Sequence, residues 1–188
     1  MGLMIHSLGA LPLEAKKSYY VYLLDYGWHE PLAEAVYKNF SKMADLASRN
    51  ETVVMQGVVG SHFADEVLSW HHVNGQPADE ILPAILVTTI HPHHFQTHQN
   101  ANAPAPDDKL LLIPLRKACK NTSEVVSLIE KLFKDIGDKK VLQDFAIAKE
   151  LKTGKRGALV DALILQPNFS GVGVDLKAIV KFFKELHK

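Results

Sequence analysis

Hydrophobic and polar positions follow two rhythms along the chain. Tyr19–Leu24 and the stretches 52–60, 81–90 and 109–115 are short runs of β-branched, aliphatic and aromatic residues between polar or turn-forming ones. Such runs predict strands buried on both faces. Three- and four-residue steps mark the helices. Leu32, Val36, Phe40, Met43 and Ala47 put one apolar stripe on residues 31–48, and Pro31 suits the first helical position, where its missing N–H is harmless. Phe63, Val67 and Trp70 do the same for residues 62–72. Asn121 predicts a cap, with Glu124 three residues on as in a capping box. Val125, Leu128, Ile129, Leu132, Phe133 and Ile136 form the stripe that follows, and Gly137 ends it.

The C-terminal third allows two readings. Residues 141–167 form either a hairpin turning at 152–157 or a short helix followed by a strand. Helical spacing of Leu142, Phe145, Ala148 and Leu151 favours the helix, with a strand over 158–165. A last helix is predicted from 175 to 186, with Leu176, Ile179, Val180 and Phe183 inward. Residues 91–108 read as a polar, proline-containing loop. Pro83, near the start of its run, suits an edge or a special turn better than a central ladder position.

The resulting order is β-α-β-α-β-β-α with a C-terminal strand-helix extension from about residue 138. Alternating strands and helices predict a three-layer α/β sandwich. Two successive strands joined without a helix predict some antiparallel pairing. Residues 17–188 form one domain in this reading. Residues 1–16 are mildly apolar, lack a basic leader segment and are broken by Gly9 and Pro12. They are expected to be an arm that packs on the domain or mediates association. His6 stands where an N-myristoylation motif beginning at Gly2 would need Ser or Thr.

Composition narrows the partners. With 21 Lys+Arg against 21 Asp+Glu, nothing draws the chain as a whole to nucleic acid or to an anionic membrane surface. No apolar run approaches the ~20 residues that span a bilayer. The single cysteine, Cys119, rules out an intrachain disulfide, a Cys-x-x-Cys redox pair and a cysteine-rich zinc site, and makes a reducing, cytoplasmic compartment the expectation.

One turn carries a resemblance. Trp28-His29-Glu30-Pro31-Leu32 lies between the first predicted strand and the first predicted helix. The element order resembles the thioredoxin fold over roughly residues 18–137, and the turn lies where that family carries Trp-Cys-Gly-Pro-Cys. Trp28 and Pro31 match the motif. Pro83, before Ala84-Ile85-Leu86-Val87, resembles the family's cis-proline that faces it. His29 and Leu32 stand in place of both cysteines, and sulfur exchange needs an attacking thiolate and a resolving thiol. The resemblance therefore implies a redox-dead scaffold kept as a non-enzymatic binding or assembly module. Trp28, His29, Glu30, Pro31 and Pro83 would form its binding surface, for a protein partner or a second copy in a homo-oligomer. Cys119 reads as a small buried apolar residue.

Two enzymatic readings stand beside it. The first is a hydrolase using histidine and carboxylate, with or without zinc. A helix N-terminus lowers an imidazole's pKa, so a neutral His29 beside Glu30 could act as a base; a solvated His-Glu pair is the plainer alternative. His91, His93, His94 and His98 cluster in one stretch with Asp107 and Asp108 downstream, and imidazole is a common zinc ligand. His91 and His93 point the same way in an extended chain, whereas His94 and His98 converge only on a helix. The second is a TIR-like nucleotide hydrolase, for which no single catalytic Glu stands out.

Other clusters read as ordinary surface or core. His62, Asp65, Glu66, His71 and His72 fit the polar face of an amphipathic helix and lack the His-Glu-x-x-His pattern. Lys152–Gly157 and the paired glycines Gly171 and Gly173 fail the spacings of phosphate and dinucleotide loops. Tyr19, Tyr20, Tyr22, Trp28 and Trp70 suit core packing better than a nucleic-acid platform.

Overall fold

The computed structural model describes residues 1–27, 30–71, 73–74, 81–97, 110–152, 163–165 and 174–175. The strands are β1 (Gly2–Ile5), β2 (Tyr19–Leu24), β3 (Thr52–Gly57), β4 (Val73–Asn74), β5 (Ala84–Thr88), β6 (Leu110–Pro114), β7 (Leu163–Leu165) and β8 (Val174–Asp175). The helices are α1 (Pro31–Lys38), α2 (Phe40–Ser48), α3 (Phe63–Trp70), α4 (Pro92–Thr97), α5 (Leu115–Ala118), α6 (Thr122–Gly137) and α7 (Ala146–Lys152).

Six strands form one mixed sheet in the order β1-β3-β2-β5-β6-β7. β1 and β2 flank β3 in parallel, and β5, β6 and β7 continue the sheet in antiparallel pairs. The central strands are buried on both faces, which explains their continuous apolar sequence. Alternate residues divide between two cores. Tyr19, Val21, Leu23, Val54, Ile85, Val87, Leu111 and Ile113 face α1, α2, α6 and α7. Tyr20, Tyr22, Leu24, Val53, Met55, Leu86, Leu110 and Leu112 face α3 and the turn around Leu8 and Leu11. The protein is thus a three-layer α/β sandwich. Each fully buried Leu, Ile or Val contributes about 1.5–3 kcal/mol, so the doubly covered strands dominate stability.

Where the structure departs from the sequence reading, local causes are visible. Of the two roles expected of residues 1–16, packing on the domain is the one seen, and it goes beyond an arm. β1 is an edge strand whose Gly2 is pressed against α2, where an added Cβ would lie 2.5 Å from Ala44 Cβ. The helix expected over 31–48 is two helices. Asn39 breaks it: the side-chain amide donates to the Ala35 carbonyl at 2.8 Å and the backbone bends (φ −95°, ψ 5°), a side-chain bond competing with the helical ladder.

Pro83 does sit in a special turn. The Leu82–Pro83 bond is cis, and the residue precedes the ladder of β5 instead of interrupting it. Pro92–Thr97, expected as loop, is helical. α7 followed by β7 bears out the helix-then-strand reading, with Leu110 opposite Leu165. Asp175, expected to open the last helix, pairs with Asn74 in a short parallel ladder; the rest of that helix lies outside the described residues. No helix among the described residues is long and apolar enough to cross a membrane.

Candidate functional site

α1 begins directly beyond the carboxyl end of β2. Glu30 precedes it in extended conformation, and Pro31 takes the first helical position, as the proline's fixed φ and missing N–H favour. Glu30 offers no side-chain cap to its own helix. Its carboxylate is held instead by the Arg116 guanidinium, with Nε donating at 3.0 and 3.1 Å and Nη2 at 2.7 Å. That planar fork matches a carboxylate, so Glu30 ties the start of α1 to Arg116 of α5. Arg116 follows Leu115, whose N–H donates to the Pro83 carbonyl at 2.8 Å. Pro83 in turn lines a narrow crevice with Asp25, Ala33, Val36 and Tyr37. The start of α1 and Pro83 therefore share one end of the sheet. Trp28 and His29 lie outside the described residues.

Arg116→Ala should lower the unfolding free energy by about 1 kcal/mol, because the pair is only partly shielded. The loss should shrink in molar salt, which screens what the pair contributes. Urea titrations at low and high salt check both.

Cys119 ends α5 deep in the first core, beside Val125 and Ala118. It plays the apolar part expected of it.

The histidines come together, but onto carbonyl oxygens. His91 and His93 rings stack at 5.4 Å. His91 Nε2 donates to the Pro12 carbonyl at 3.1 Å and His93 Nε2 to the Leu11 carbonyl at 2.9 Å. His91 Nδ1 accepts the His93 N–H at 3.3 Å. The His94 N–H bonds the His91 carbonyl at 2.9 Å. These contacts fasten α4 to the segment after β1. No three His, Cys, Asp or Glu among the described residues are grouped to hold a metal ion. His98 lies outside the described residues.

Burial holds the His91 imidazole below its ordinary 6.5; the Pro12 carbonyl and Glu14 oppose this and His93 adds to it. The folded value lies below the unfolded one, so the folded state binds fewer protons. The contribution is complete above pH 6.5 and is lost as pH falls through the folded value. Imidazole NMR should place the His91 midpoint below 6.5; a midpoint above it would contradict the packing described.

A second feature was not anticipated from sequence. β2 and β3 are parallel neighbours, yet the helix after β2 lies on the first face and the helix after β3 on the second. Such a divergence opens a crevice beyond the strands' carboxyl ends, a common location for ligand sites in α/β sheets. The crevice here has a volume of about 680 Å³, within the range of small-molecule pockets. Leu23, Val58 and Phe63 give it apolar walls, and Asp25, Tyr37, Gln56 and Asp65 reach into it.

The polar groups in the crevice are ordered. The Tyr26 hydroxyl donates to Asp65 Oδ1 at 2.7 Å, and the Tyr37 hydroxyl donates to Asp25. Burial, then the Asp25 charge and hydrogen bond, push the Tyr37 phenol far above its usual range. Gln56 is 7% exposed, and its Oε1 accepts no hydrogen bond among the described residues. The available signal was Gln56 itself, a polar residue closing the otherwise apolar run Val53-Val54-Met55.

Comparison with protein-family models, with curated proteins and with solved structures finds no match to this chain.

Proposed function

We propose that the protein is a non-enzymatic binding or assembly module on a thioredoxin-like scaffold from which the thiols have been lost. The observation that carries the reading is the placement of Pro83. It lines one crevice with Ala33 of α1 and Asp25, the residue after β2, at the end of the sheet where a thioredoxin-like protein would carry its sulfur chemistry. The strand order β1-β3-β2-β5-β6, with the last two antiparallel, supports the same scaffold.

The chemistry required for sulfur exchange has no carrier at that position. His29 and Leu32 stand where the thiols would be, and Cys119 is packed in the core. Without an attacking thiolate and a resolving thiol no exchange cycle closes. Glu30 is committed to Arg116, which leaves the opening of α1 as a fixed, charged and partly exposed surface. A rigid surface of this kind suits a partner protein or a second copy of the chain.

Site-specific photo-crosslinking tests this. A photoreactive residue at position 31 of the full chain should give discrete adducts in cells. One at the exposed Val141 should give none, and Cys119→Ser should leave the pattern unchanged. Adducts that do not depend on position, or that vanish in Cys119→Ser, would contradict the proposal.

A further inference from the structure

We infer that the crevice between the carboxyl ends of β2 and β3 binds an alkylammonium group, with its carbon stem on the apolar wall. The inference stands apart from the reading of the α1 surface, and either can fail alone.

Charge selects the ligand's sign. Asp25 and Asp65 present carboxylates, and no Lys or Arg is among the described residues lining the crevice. His62 lies at the rim with Nδ1 3.6 Å from Asp65 Oδ2 and a largely exposed ring. An anion would meet two like charges with no Lys or Arg among the described lining residues to offset them, which is unfavourable.

Hydrogen-bond capacity selects the ligand's polarity. Each carboxylate already accepts one phenolic hydroxyl, from Tyr26 or Tyr37, and keeps further acceptor positions. Gln56 Oε1 is buried and accepts nothing among the described residues. A buried acceptor left unbonded destabilises the fold, and an entering N–H donor would relieve it. These three acceptor groups, with no Lys or Arg among the described lining residues, suit an ammonium group with its three donors. The described residues offer no three-ligand group for a metal ion, which favours an organic cation.

Shape selects the rest. Leu23, Val58 and Phe63 give the stem an apolar bed. The Tyr26 and Tyr37 rings flank the same space, and aromatic faces attract ammonium. The turn Val58-Val59-Gly60-Ser61 forms the rim. The Ser61 N–H closes it onto the Val58 carbonyl at 3.0 Å, and Gly60 takes the left-handed conformation the turn demands (φ 82°). Val59 at its corner is fully exposed.

Three four-carbon probes test the inference on the full-length protein: n-butylammonium, n-butanol and butyrate, titrated by NMR at low salt. Butylammonium should bind at least about ten-fold tighter than either of the others, with the largest shifts at Gln56 and Tyr26. Gln56→Leu and Asp65→Asn should each weaken it about five- to ten-fold. Asp65 is half exposed, so its variant folds even where a buried substitution does not. A fourth probe, Nα-acetyl-lysine N-methylamide, carries the same group on a peptide-like backbone. Its binding as tightly as butylammonium would support a lysine side chain as the natural occupant; its exclusion would support a free amine. Equal binding of the first three probes, preference for butyrate, or unaltered butylammonium binding in both variants would overturn the assignment.

Discussion

Asp135→Leu is expected to lower the unfolding free energy by about 3–4 kcal/mol, the largest single-residue effect foreseen outside the apolar core. Asp135 lies on α6 and is 2% exposed. Its carboxylate accepts the Ala146 N–H at the start of α7 and the Lys140 ammonium. That hydrogen bond is the main influence holding Lys140 above its usual pKa. The Lys140 carbonyl in turn accepts the Tyr19 hydroxyl at 2.6 Å, and the Tyr19 ring packs on Phe145. One carboxylate thus fastens the chain after α6 to the first strand of the double-faced core. Leucine leaves the part-buried Ala146 N–H without its acceptor and the Lys140 ammonium without its partner. Asp135→Asn keeps an acceptor and should cost about half as much. Urea unfolding of both variants checks the order; a leucine variant within about 1 kcal/mol of wild type would refute the account.

Gly57→Val is expected to cost about 2–3 kcal/mol, and Gly57→Ala somewhat less. A Cβ at Gly57 would lie 2.5 Å from Phe63 Cβ and 2.9 Å from Ser61 Oγ. Phe63 Cβ is fixed to the first turn of α3, and its ring is buried in the second core, so no side-chain rotation relieves the clash. The start of α3 has to move away from β3, widening the crevice that the two elements frame. Thermal unfolding measures the loss, and amide shifts should spread from Phe63 to Val67. A Gly57→Ala variant as stable as wild type, with unchanged α3 shifts, would mean that β3 and α3 do not approach this closely.

Elements with a strong internal period were legible in the sequence. α6 follows its stripe from Val125 to Ile136 and begins on the Asn121 cap, whose side chain accepts the Glu124 N–H at 3.0 Å. β2 is buried along its whole length, as its six apolar and aromatic residues announced. Misses arose where distant contacts decided the outcome. Gly2–Ile5 carries little strand signal alone, and becomes a strand because β3 offers a free parallel edge. Asn39 stays in phase with the stripe on both sides, so periodicity cannot reveal that its side chain captures the Ala35 carbonyl.

The sites followed the same rule. Glu30 and Pro31 could be named from a local motif, but Arg116 is 86 positions from Glu30 and no local pattern links them. The histidine cluster was visible as composition, and its use was not, because Leu11 and Pro12 supply the carbonyls it meets. The β2–β3 crevice draws on Asp25, Gln56 and Asp65, each unremarkable in its own segment. Only the direction of the helices after β2 and β3 brings them together.

The central claim, that a sulfur-exchange scaffold persists here without its sulfur, is tested most directly by restoring the pair. His29→Cys and Leu32→Cys are introduced together in a Cys119→Ser background, and the reduction of a small disulfide is followed. A thiol near the N-terminus of α1 should ionise well below its ordinary pKa of about 8.5. The installed pair should close to a disulfide and turn over at least about ten-fold faster than Cys119→Ser alone. A pair that stays open, ionises like a free cysteine and turns over at the background rate would contradict the account.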